Sequence, residues 1–131
     1  MEHIKTKYRD LTMDLDLSRH ITVVVGESGT GKTLIYEMLP KKINGTLIHK
    51  FTYGATLRYV IEEIKDSSCD LFVFDRTELL FMDPLAEELK RVINSDSVNT
   101  FLLFGRETTG LSVTLEDVKQ LQFDNNTLFL V

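Results

Sequence analysis

The sequence predicts one three-layer α/β domain spanning residues 1–131, with a mainly parallel sheet of about five strands plus an N-terminal edge strand. Three observations predict it. From residue 21 onward, short apolar runs alternate with segments whose apolar residues recur at helical spacing. The runs are nearly continuous, as in strands covered on both faces. The length of 131 residues, 43% of them hydrophobic, suits a single domain with a substantial core.

Taken in order, Leu11, Met13, Leu15 and Leu17 alternate with Thr12, Asp14, Asp16 and Ser18, the period of a half-exposed edge strand. Ile21 to Val25 is β-branched and apolar throughout, so it reads as a buried parallel strand. A glycine-rich break follows. Leu34, Ile35, Met38 and Leu39 then mark a helix that Pro40 ends. Asn44-Gly45 predicts a turn and Thr46 to Phe51 a strand. Leu57, Val60, Ile61 and Ile64 stripe a helix whose other side carries Glu62, Glu63 and Lys65.

Leu71 to Phe74 is another buried strand. Asp83-Pro84 predicts a helix start, with Asp as N-cap and Pro at the first position. Leu85, Leu89, Val92 and Ile93 form its apolar face. Phe101 to Phe104 is a further buried strand. Leu115, Val118 and Leu121 predict a short helix, opened by Thr114 with Asp117 behind it. Thr127 to Val131 reads as the last strand.

Charge and cysteine usage narrow the class. Twenty acidic against 15 basic residues give a net charge of −5, which leaves nucleic-acid binding unsupported. Lys5, Lys7 and Arg9 read as a solvated face. Cys69, the single cysteine, cannot form an intrachain disulfide, which fits a reducing, cytoplasmic setting. The opening MEHIKTKYRD has no apolar signal-peptide core, and no apolar run is long enough to cross a bilayer, so no membrane role is expected. His3, His20 and His49 have no metal-site spacing. Tyr53, Tyr59 and the phenylalanines make no RNA-binding pattern and are expected in the core.

The break after the first buried strand reads Gly26-Glu27-Ser28-Gly29-Thr30-Gly31-Lys32-Thr33, a full match to G-x-x-x-x-G-K-[ST]. Gly26 lets the chain turn out of the strand. Gly29 and Gly31 permit backbone angles, and an approach of phosphate, that a β-carbon hinders. The amides of Gly26 to Thr33 then form an anion nest, backed by the positive end of the following helix. Lys32 sets a charge against the β- and γ-phosphates, and Thr33 offers a hydroxyl to Mg²⁺.

On these residues the chain resembles the P-loop NTPase superfamily, over an αβ pattern running from about residue 10 to the end. GESGTGKT is similar to the loops of ATPases in its larger division, including small bacterial ATP-binding proteins. The resemblance implies a P-loop fold binding ATP or ADP with Mg²⁺. Leu71-Phe72-Val73-Phe74-Asp75 resembles a Walker B strand, and Asp75 then joins Thr33 as a metal ligand. Many vigorous ATPases carry a glutamate directly after that aspartate; here the residue is Arg76. Glu78, two residues on, either turns toward the phosphates as a catalytic group or is solvated. Arg106, after the strand Phe101 to Phe104, is either a sensor of the γ-phosphate or a surface residue of the loop. No N-K-x-D run is present, which favours adenine by elimination.

Three readings remain open at this level. The first is a Mg-ATP-binding protein, with or without slow ATPase activity, whose nucleotide state regulates contacts with a protein partner. The second is a small nucleotide-kinase-like phosphotransferase, suggested by Asp75-Arg76. The third is a nucleotide-binding regulatory module without hydrolysis.

Overall fold

The computed structural model describes residues 3–26 and 32–131. The chain begins with β1 (His3–Tyr8), which turns at Arg9-Asp10 into β2 (Leu11–Asp16). Next come β3 (Ile21–Val25), α1 (Lys32–Met38), β4 (Lys42–Ile43) and β5 (Thr46–Phe51). After them come α2 (Leu57–Asp66), β6 (Leu71–Phe74), the one-turn α3 (Thr77–Leu80) and α4 (Ala86–Ser95). β7 (Thr100–Phe104), a 3₁₀ turn (Leu115–Asp117), β8 (Val118–Asp124) and β9 (Thr127–Leu130) complete it.

The strands form one nine-stranded sheet in the order β1-β2-β9-β8-β3-β7-β6-β5-β4. β3, β5, β6 and β7 run parallel, and so do the β3–β8 and β2–β9 pairs. The β1–β2, β8–β9 and β4–β5 pairs are antiparallel hairpins. Two of the hairpin turns are dictated by residue type. Asn44-Gly45 and Asn125-Asn126 all have positive φ, the demand of the tight turn that matches strand twist.

The buried strands divide their side chains between two cores, as a period of two requires. Val23, Phe72, Phe74, Phe101 and Leu103 face α2 and α4, meeting Leu57, Val60, Ile61, Ile64, Leu89 and Ile93. Val24, Val73, Leu102 and Phe104 face the other way. There they meet Ile35 and Leu39 of the α1 segment together with Ile4, Met13, Leu15, Leu17 and Leu128. Residues from the far end of the sheet thus share a core with its middle, because the sheet curls nearly into a barrel.

This overturns the predicted fold class. The molecule is a nine-stranded mixed, nearly barrel-shaped sheet with few helices, not a mainly parallel three-layer α/β P-loop fold. The physical reason lies in the second core. A layered sheet needs helices on both faces. Here the curled β1-β2-β9 end covers much of that face, and α1 contributes one buried side chain, Ile35.

Three smaller expectations change with it. Leu11–Asp16 is not an edge strand, since β1 pairs outside it along its whole length. The helix expected after Thr114 stops at Asp117, and Val118–Asp124 pairs with β3 and β9 instead. Leu115 is 92% exposed, so the apparent helical stripe had no core to face. α4 starts at Ala86 rather than at Pro84, because Asp83 Oδ1 accepts the Leu85 N–H at 2.8 Å in a turn before the helix. Among the described residues no helix is long and apolar enough to cross a membrane.

The 3₁₀ turn is tied down by Asp117. Its Oδ2 accepts the Thr114 N–H at 2.8 Å, and its Oδ1 accepts from Arg19 Nε. Burial pushes the Asp117 carboxyl up, but the Thr114 N–H and the Arg19 guanidinium together outweigh it and hold it below its ordinary value. A carboxylate lowered in the folded state adds stability above its unfolded value of about 4, and that stability is lost as pH falls through the folded value. The wild type should therefore lose stability more steeply than Asp117→Asn below about pH 4. Urea midpoints across that range check it; parallel curves for the two proteins would contradict it.

Candidate functional site

The C-terminal ends of β3, β5, β6 and β7 lie side by side, because these strands are parallel neighbours. Every sequence-predicted site residue that the structure describes comes from the segments leaving β3, β6 and β7. Glu27, Ser28, Gly29, Thr30 and Gly31 lie outside the described residues; Gly26, Lys32 and Thr33 lie within them.

β3 and β7 leave the sheet in the same way. Gly26 has φ 151° and Gly105 has φ 152°, a region open to glycine and strained for other residues. Val24 and Phe104 are register partners, and the Gly105 N–H donates to Val24 O at 3.1 Å. The two exits are therefore adjacent. Lys32, at the start of α1, folds back so that Nζ donates to Gly26 O at 2.6 Å. Its charge thus rests at the end of β3. Thr33 is exposed on the first turn of α1.

Asp75 follows β6 and is buried, with 8% of its surface exposed. Its N–H donates to Phe51 O at 2.9 Å, which continues the β5–β6 ladder, and its Oδ1 accepts the Arg76 N–H at 3.0 Å. Burial, and then the negative charge of Asp75, hold the Tyr36 phenol above its ordinary value. Thr33 and Tyr36 are three residues apart and share a helix face.

Lys50 supports α1 from below. Its Nζ donates to Tyr36 O at 3.2 Å and lies 5.4 Å from the centre of the Tyr36 ring. α1 has no basic residue in its own last turn, so Lys50 supplies the positive charge that a helix C-terminus favours.

Arg76 takes a left-handed conformation (φ 54°) as the chain turns into α3, and its guanidinium lies 5.4 Å over the ring of Tyr53. Tyr53 is exposed, contrary to the core position expected of it. Glu78 Oε1 accepts the Arg106 N–H at 2.5 Å. Thr77 is buried, and its hydroxyl donates to Phe104 O at 3.3 Å. The segments after β6 and β7 are thus bonded to each other beside Gly105. The Arg106 side chain is exposed and pairs with no carboxylate among the described residues.

Mg²⁺ is typically held by one or two protein oxygens together with phosphate oxygens and water. Asp75 and Thr33 would provide such oxygens, and Lys32 and Arg106 would provide positive charge for a phosphate chain. Among the described residues no group of three or more His, Cys, Asp or Glu side chains could hold a metal ion.

Sequence reasoning missed Tyr36, Lys50, Thr77 and Gly105. Lys50 carried a signal, since it is two residues from buried Ile48 on one strand and so shares its inward face. Gly105 carried another, as a glycine directly behind a buried strand. The histidines lie elsewhere: His20 bonds the carbonyls of Ile93 and Asn99 near the start of β7, and His49 bonds Asp70 just before β6. No protein-family model matches the chain, and no curated protein matches it.

Proposed function

We propose that this protein binds Mg-ATP, or ADP, at the ends of β3, β6 and β7, and that it is a slow ATPase whose nucleotide state regulates contact with a protein partner. One observation carries the reading. A full phosphate-loop sequence begins at the end of a buried strand, with Lys32 folded back onto that strand end and buried Asp75 following a parallel strand of the same sheet. In the reading, Lys32 and the amides from Gly26 to Thr33 hold the phosphates. Thr33 and Asp75 hold Mg²⁺, whose role is to bridge phosphate oxygens and offset their charge.

Slow turnover is supported by Arg76, which stands where a water-orienting glutamate often follows the metal aspartate. Regulation is supported by the bonds between the segments after β6 and β7. A change sensed by Arg106 would reach α3 through Glu78 and Thr77.

The test is equilibrium titration with ATP, with and without Mg²⁺. Wild type should bind ATP more tightly when Mg²⁺ is present. Asp75→Asn should lose most of that gain while still binding the metal-free triphosphate. Equal Mg²⁺ dependence in the two proteins would remove Asp75 from the site. Turnover measured on the same samples separates a slow ATPase from a module that only binds.

A further inference from the structure

We infer that Glu78 is a positioning residue that acts through Arg106 rather than a base that activates water. The inference rests on the nucleotide-binding reading for its functional half and on geometry for the rest. Glu78 is the carboxylate nearest to Asp75 along the chain after it. Its Oε1 already accepts the Arg106 N–H at 2.5 Å. That oxygen is thus occupied by a backbone N–H of the segment leaving β7.

The surroundings make the arrangement hard to rearrange. A β-carbon on Gly105 would overlap Thr77 Oγ1 and lie 2.8 Å from Glu78 Oε2, so α3 and the exit of β7 are in close contact. Thr77 adds a second bond across the same seam, to Phe104 O. Further along the loop, Asn94 of α4 donates to Gly110 O at 2.8 Å and accepts the Ser112 N–H at 2.8 Å. Arg106 is therefore held at one side by Glu78 and, through its loop, at the other by α4. Its exposed guanidinium is left to meet a ligand, and Glu78 fixes where the guanidinium starts from.

The test compares Glu78→Gln, Glu78→Ala, Arg106→Ala and the Glu78→Ala/Arg106→Ala pair. Glutamine keeps an oxygen that accepts the amide proton but cannot serve as a base. The first readout needs no nucleotide. The Arg106 amide proton resonance should lie downfield in wild type, stay partly downfield in Glu78→Gln and move upfield in Glu78→Ala. No difference between wild type and Glu78→Ala would overturn the positioning role.

The second readout is the preference for ATP over ADP, by titration. Glu78→Gln should keep it within about threefold, while Glu78→Ala and Arg106→Ala should each lose about tenfold, and the pair no more than either alone. Additive losses would overturn the inference. So would a Glu78→Gln protein that binds ATP normally but has lost all of the wild-type turnover, since that marks a base. If wild type binds neither nucleotide, the functional reading fails, while the resonance still decides whether Glu78 places Arg106.

Discussion

Replacing Lys32 with alanine is expected to weaken triphosphate binding by about 100-fold and to leave the fold in place. Removing one partner of a buried charge-assisted contact costs about 2–5 kcal/mol, and each 1.4 kcal/mol is about tenfold in affinity. The lower part of that range applies, because Lys32 is only partly buried and its ammonium already has a partner, Gly26 O at 2.6 Å. Binding would exchange that carbonyl for phosphate oxygens. The fold should survive, since the substitution removes a single hydrogen bond worth about 1 kcal/mol and none of the core. Lys32→Arg should rescue poorly, because a planar fork does not replace a compact ammonium against phosphate oxygens. Titration with ATP, alongside urea unfolding, checks both halves. An unchanged affinity would sink the phosphate-loop reading.

Gly105→Ala should destabilise the protein by at least about 3 kcal/mol, a size reached only through overlap or strain in a packed place. Both apply. At φ 152° a residue with a β-carbon is strained, and that carbon would overlap the Thr77 hydroxyl with Glu78 Oε2 2.8 Å away. Thr77 is buried and bonded to Phe104 O, so it has little room to yield. The two contributions separate experimentally. Thr77→Ala alone should cost about 1 kcal/mol for the lost bond. In the Gly105→Ala background it should instead recover part of the loss, because it removes the closest overlap and leaves the backbone strain and the Glu78 contact. Urea midpoints of the four proteins give the comparison. A Gly105→Ala protein as stable as wild type would show that β7 can leave the sheet by another route.

The inner strands were legible in the sequence because burial on both faces leaves a continuous apolar run. Ile21–Val25, Leu71–Phe74 and the Phe101–Phe104 core of β7 follow it closely. β1 was not legible, since only Ile4 of its six residues is buried and Lys5 and Lys7 face water. β8 was misread for a related reason. Val118 and Leu121 fit a helical spacing as well as a strand, and pairing with β3 and β9 decides between them. The Asn125-Asn126 turn was the missed clue that a hairpin follows. The curl of the sheet has no local signature at all: periodicity tells which side chains share a face, not how far that face bends.

The site divides along the same line. Gly26, Lys32 and Asp75 announce themselves through residue types at fixed spacing. Tyr36, Lys50, Thr77 and Gly105 matter through neighbours distant in the chain, and only the packing of β5, β6, β7 and α1 brings them together.

The curled end of the sheet gives the opening hairpin an importance its sequence does not suggest. α1, the helix that begins with Lys32, buries Ile35 and is followed by buried Leu39, both in one cluster with Ile4, Met13 and Leu15. The β1–β2 hairpin therefore forms the floor on which the helix that begins with Lys32 stands. Anything that disturbs that floor, whether a shortened N-terminus or a bulky fusion pressed against β1, reaches Lys32 without touching the loop itself.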